Sequence, residues 1–139
     1  MTIVGFNFSK IRVEKKQSAK GKININNNIG ITNVEESKLS LGNSKAKGLK
    51  FTFDFDTKYE PKIGLISLTG DVVYIGEAKD IDDILKSWKK DKKVPKEVMT
   101  SILNTVLNKC NIQALILSQQ INLPSPIPLP KVGTTPKKS

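Results

Sequence analysis

The stretch Leu49-Lys50-Phe51-Thr52-Phe53-Asp54-Phe55-Asp56 decides the fold. Large apolar side chains hold every odd position and polar ones every even position. That is the period of a strand with one dry face and one wet face. Such a strand needs partners whose apolar residues keep the same period. Ile23, Ile25, Ile29 and Ile31 keep it on the amino-terminal side, with Asn24, Asn26, Asn28 and Thr32 on the opposite face. Further out, Phe6 and Phe8 share a face, whereas Ile11 and Val13 continue at odd positions. This change of phase near Ser9-Lys10 predicts a bulge. On the carboxyl side, Ile63 to Ile75 is β-rich but broken at Thr69-Gly70-Asp71. Gly70 either starts a hairpin turn or marks a bulge within one long strand, so four or five antiparallel strands are expected. The polar run from Glu35 to Gly48 reads as a loop.

The second half of the chain is helical. Asp80 is expected as an N-cap, with Asp82 and Asp83 in the first turn and Lys86, Lys89 and Lys90 near the end, as the helix dipole favours. Ile81, Ile84, Leu85 and Trp88 form the apolar stripe. Pro95 suits the first turn of a longer helix reaching about Gln120, with Asn111 a candidate break. Its stripe of Val98, Ile102, Val106, Leu107, Cys110, Ala114 and Leu117 is widened by Met99, Leu103, Leu115 and Ile116. A helix apolar on more than one side packs against two things, and another subunit could be the second. Then comes Leu123-Pro124-Ser125-Pro126-Ile127-Pro128-Leu129-Pro130. Proline at alternate positions forbids helix and gives an extended segment, read as a strap with Leu123, Ile127 and Leu129 available for packing. Residues 1–132 are expected to form one domain, with 133–139 a flexible basic tail.

Of 23 basic side chains only Arg12 is an arginine, histidine is absent, and the net charge is +10. The missing histidine removes the commonest general base and metal ligand, which argues for a binding protein without cofactor or catalysis. The single cysteine, Cys110, cannot form an internal disulfide, and no secretory signal or bilayer-spanning stretch is visible. A cytoplasmic protein away from membranes is expected. Three lysine-rich groups stand out. Lys10, Arg12, Lys15, Lys16, Lys20 and Lys22 lie in and after the first strand. Lys86, Lys89, Lys90, Lys92, Lys93 and Lys96 surround the helix junction, and Lys131, Lys137 and Lys138 end the chain. Because the region from Asp54 to Asp83 is net acidic, the positive charge is segregated. RNA is the polyanion this pattern suggests, since phosphate contact needs lysines in number and no special spacing.

Three other constellations read as structural. Gly42-Asn43-Ser44-Lys45-Ala46-Lys47-Gly48 lacks phosphate-loop spacing and precedes no helix, so a basic loop is expected. Asp54 and Asp56 share a strand face near Glu60, but they lie opposite three phenylalanines and read as a solvated face. Cys110 has no activating partner and sits in an apolar stripe, as a core residue would.

The order of elements resembles the SecB-like family. Phe6–Val13, Ile23–Ile31, Leu49–Phe55 and Ile63–Ile75 stand for its four strands. Val94-Pro95 stands where the family has a proline before its main helix, and Asn122–Pro130 where it has an apolar, proline-containing stretch. The resemblance implies an α+β fold, an antiparallel four- to five-stranded sheet with the C-terminal helices on one face, and no enzyme activity. The family's best-known members are acidic tetramers that hold unfolded polypeptides; this chain is basic and carries Lys96-Glu97-Val98-Met99 where they have an aromatic-arginine run. Two functions follow. The first is an RNA-binding protein contacting rRNA, alongside ribosomal proteins, through its lysine groups. The alternative is a SecB-like holdase for unfolded or nascent chains, with the 96–120 helix available for self-association.

Overall fold

A computed structural model describes residues 2–17, 21–37 and 46–127. Four strands, β1 (Thr2–Lys15), β2 (Asn24–Ser37), β3 (Ala46–Glu60) and β4 (Gly64–Glu77), precede two helices, α1 (Ala78–Asp91) and α2 (Lys96–Gln120). The sheet is antiparallel throughout, in the order β1-β4-β3-β2. The α+β class and the helices on one face agree with expectation, and the strand count is four.

The phenylalanine row lies at the centre of the sheet. Phe51, Phe53 and Phe55 are at most 1% exposed and face β2 through the register pairs Ile29↔Phe55 and Ile31↔Phe53. The β2 isoleucines are half-buried against this core because β2 is an edge strand. On β4 the even positions Ile66, Leu68, Val72 and Tyr74 turn to the same side. Strands β2 and β3 are longer than their most regular patterns and take in residues 35–37 and 46–48 of the stretch expected as a loop; residues 38–45 lie outside the described residues.

Gly70 starts no turn, since β4 runs unbroken past it as one long strand. The register of β1 on β4 slips between Phe8 and Lys10, the place where the phase of the apolar residues changes. The bulge belongs to β1, and Gly70 faces it. A Cβ built on Gly70 would collide with the Asn7 carbonyl and lie 2.8 Å from Phe53 Cζ. Glycine is therefore required there for close approach, as in the crowded backbone positions that admit no side chain.

The chain passes from β1 at one edge to β2 at the other by crossing the tip of the β3–β4 hairpin. Lys16 and Gln17 donate their backbone N–H groups to the Ile63 carbonyl at 2.8 and 3.3 Å, and the Gln17 amide donates to the Pro61 carbonyl at 2.9 Å. This crossover gives the sheet its order.

Both helices cover the phenylalanine side. Ile81, Ile84 and Trp88 of α1 are buried at spacings of three and four, and α1 lies over β2, β3 and β4. The helix starts earlier than expected: Glu77 takes the N-cap position without a side-chain cap, and Asp80 lies in the first turn. Asp82 instead accepts from Lys47 at 3.0 Å, tying α1 to β3. Helix α2 lies over β4, β1 and β3, with Pro95 as its N-cap, and passes Asn111 without interruption. At its end Asn122 takes a left-handed φ of 57°. The Asn122 N–H reaches the Gln119 carbonyl at 3.4 Å and the Leu123 N–H reaches the Ser118 carbonyl at 2.8 Å. This is the pairing of a Schellman turn, with asparagine in the place glycine usually takes.

The turn sends the proline segment back along the sheet, where it packs as the strap expected for it. Leu123 is buried, and a Cβ on Gly64 would lie 3.1 Å from its side chain. The Tyr59 hydroxyl donates to the Pro124 carbonyl at 2.6 Å, and the Asn27 amide donates to the Pro126 carbonyl at 3.2 Å. Ile127 is half-buried; Leu129 and the basic tail lie outside the described residues.

Candidate binding surface

Burial assigns most apolar residues to the core and leaves a small set in water. Val4 and Ile11 on β1 and Leu107, Ile112 and Ile116 on α2 are between 40 and 54% exposed. Ile11 faces the helix side of the sheet, opposite Leu68, but β1 is an edge strand and nothing among the described residues covers it from outside. On α2 the buried stripe runs through Val98, Ile102, Val106, Cys110, Ala114 and Leu117. Ile112 and Ile116 are one turn apart and project from the opposite side of the helix. Leu107 flanks the stripe. A helix packed on one side that leaves large apolar side chains exposed on the other presents a surface for a partner.

Between the first half of α1 and the start of α2 lies an open cleft of about 490 Å³. Ile84, Val98 and Pro95 give it an apolar floor, and Asp80, Asp83 and Glu97 give it an acidic rim. Among the described residues Lys96 is the single basic side chain there. A second, smaller cleft at the tip of the β3–β4 hairpin is rimmed by Lys16, Lys58 and Lys62.

The lysine groups singled out from sequence do not form one face. Lys10 and Arg12 project from the side of the sheet away from the helices, in register with Thr69 and Ser67. Arg12 is held by Glu14 at 2.6 Å. Lys15 ends β1 opposite Gly64, Lys16 opens the crossover, and Lys22 precedes β2. Lys86, Lys89, Lys90, Lys93 and Lys96 are exposed on or between the helices, on the other side of the sheet. Lys92 takes the C-cap of α1 with φ 56° and places its ammonium 5.2 Å from the Trp88 ring centroid, a cation–π contact. Lys20, Lys131, Lys137 and Lys138 lie outside the described residues.

The readings of Asp54 and Cys110 hold, whereas the described part of the 42–48 stretch, residues 46–48, is strand and not loop. Asp54 accepts a hydrogen bond from Thr69 Oγ1 at 3.0 Å on the polar face of the sheet. Lys47 is paired with Asp82 and Glu36, while residues 42–45 lie outside the described residues. Cys110 is fully buried, and burial pushes its thiol up to about 12. Among the described residues no helix is long and apolar enough to cross a membrane.

One pair escaped the sequence reading. Asn27 falls in the odd row of β2 among the isoleucines, and Thr57 in the odd row of β3 among the aromatics; the two are register partners. Thr57 is fully buried and donates to the Asn27 side chain at 2.6 Å. Two polar intrusions facing each other in dry rows were the available signal. They mark where the strap lies on the sheet, because Asn27 also holds the strap.

No family model and no curated protein matches the sequence. Among solved structures, the fold is similar to the Mycobacterium tuberculosis SecB-like chaperone Rv1957, solved in complex with a ChAD peptide from the Rv1956 HigA1 antitoxin. The likeness has a TM-score of 0.56 at 8% identity and covers 98% of this chain and 92% of that one. It supports the family resemblance at the level of the fold. It also corrects the leading functional expectation. The rRNA-binding reading through lysine groups does not stand: the likeness is to a peptide-bound chaperone, and the sheet separates the lysines onto opposite sides of the molecule.

Proposed function

We propose that this chain is a non-enzymatic holding protein of the SecB type that binds unfolded or nascent polypeptides. The observation that carries the reading is the fold likeness, across nearly the whole of both chains, to a chaperone solved with a peptide bound. The exposed apolar side chains support it independently. Ile11, Leu107, Ile112 and Ile116 offer unfolded chains the apolar contact they lose on leaving a folded core. The same reading places a second copy of this chain against α2, where Ile112 and Ile116 face away from the core. Such a protein works in the cytoplasm, where chains emerge unfolded.

The test is binding of a reduced, carboxymethylated protein that stays unfolded in native buffer, with no nucleotide added. A stable complex and suppressed aggregation of a refolding client are expected. Failure to bind any unfolded chain, with the fold intact by circular dichroism, would overturn the proposal.

A further inference from the structure

We infer that the cleft at the tip of the β3–β4 hairpin receives acidic side chains of the bound polypeptide, so that the clients are segments in which Asp or Glu flanks apolar residues. The inference rests on the polypeptide-holding reading and names the substrate class it serves.

The cleft is built where three pieces of backbone meet: the end of β3, the start of β4 and the first residues of the crossover. Lys16, Lys58 and Lys62 rim it, and Leu65 gives it an apolar wall. The lysines are fixed in place by their backbone. Lys16 is pinned through its N–H to the Ile63 carbonyl, and Lys62 occupies the left-handed turn position at φ 48°. All three are exposed, and none forms an ion pair with another described residue.

The two nearby carboxylates are engaged locally. Glu60, which also lines the cleft, accepts from the Lys62 backbone N–H at 3.3 Å. Glu14 is taken by Arg12. Lys15 at the end of β1 and Lys22 before β2 stand at this same end of the sheet, on its two edges, and extend the positive field. Three lysines around one cleft, against the single carboxylate of Glu60 and on a chain of net charge +10, are complementary to further carboxylates.

Lys58 and Leu65 are register partners and project from the same side of the sheet. A client whose apolar residue lies against Leu65 therefore brings its neighbouring carboxylate among the lysines. The helix-junction cleft has the opposite character, with an acidic rim, and would repel the same segment.

The experiment compares two unfolded peptides of equal length and equal apolar content, one with Glu and one with Gln at the polar positions. Fluorescence anisotropy on the full chain at low and high salt reads the affinity. The wild type is expected to favour the Glu peptide by roughly tenfold at low salt, with the preference shrinking as salt rises. The triple variant Lys16→Gln, Lys58→Gln, Lys62→Gln should lose the preference while keeping its affinity for the Gln peptide and its melting temperature. Equal binding of both peptides by the wild type, or a preference that survives in the triple variant, overturns this inference and leaves the holding function standing. Binding of neither peptide overturns both. Single-stranded RNA bound more tightly than the Glu peptide, and lost in the same variant, would overturn it in favour of a nucleic acid.

Discussion

Gly70 shows how much one residue can carry. Its missing Cβ lets the bulged β1 and the Phe53 ring meet over the same point. Gly70→Ala puts a methyl group into a backbone carbonyl, which cannot swing aside as a flexible side chain would. The expected cost is about 1–3 kcal/mol or more, measured by denaturant unfolding; a variant as stable as the parent would mean that β1 yields freely there. Tyr59 carries a pH dependence instead. Burial pushes its phenol up to about 12 from the ordinary 10.0. As pH rises the unfolded chain gives up this proton first, so the folded chain holds more protons between those values. Stability must therefore fall across that window. Cys110, also pushed up to about 12 by burial, acts in the same sense from its ordinary 9.0 upward. Tyr59→Phe should flatten the alkaline loss above pH 10 in a thermal-melt series, and an unchanged slope would assign that loss to other groups. The phenylalanine row and the phase change at Ser9-Lys10 were legible in the sequence because strand period is local. Asn27 and Thr57 were not, because their meaning comes from facing each other across two strands and from a strap nearly 100 residues away in the chain.

The strap is where local signals were strongest and least sufficient. Alternating prolines declare an extended segment, but its place on the sheet depends on the turn at Asn122 and on polar groups supplied by β2 and β3. Extended prolines lose little further entropy when they dock, so the segment stabilises by contact at small conformational cost. Truncation after Gln120 uncovers Tyr59 and Gly64 and brings solvent to the buried Thr57 and its partner Asn27. A large fall in melting temperature is expected, and Leu123→Ala alone should cost roughly 2–5 kcal/mol. A truncated chain melting with the parent would sink the structural role of the segment. The start of α1 was misread by three residues for a physical reason. Asp80 looks like a cap by residue type, but the helix already begins at Ala78, with Glu77 at the N-cap making no side-chain cap. A cap chosen by residue type alone does not fix where a helix begins.

At the scale of the molecule, charge was visible in the sequence and its arrangement was not. Counting lysines suggested a polyanion-binding face, yet strand register alternates neighbouring residues between two sides, and helices can cover only one of them. Lys10 and Arg12 consequently point away from Lys86 to Lys96, and no count of residues reveals that. The apolar excess of α2 survives the same scrutiny, because Ile112 and Ile116 remain about half exposed after the core has taken its share. Two isoleucines one turn apart on the outer side of a 25-residue helix are costly in water and inexpensive against a copy of themselves. Light scattering on the native chain should therefore give a mass that is a multiple of 15.4 kDa. The pair Ile112→Glu, Ile116→Glu should reduce it to the monomer with its circular dichroism unchanged, since neither side chain contributes to the core. The double variant also separates the two roles proposed for this surface. Retained binding of unfolded polypeptide by the monomer would place the client elsewhere, on Ile11 and the hairpin cleft. A parent chain that is already monomeric at high concentration would remove self-association and leave both isoleucines to the client.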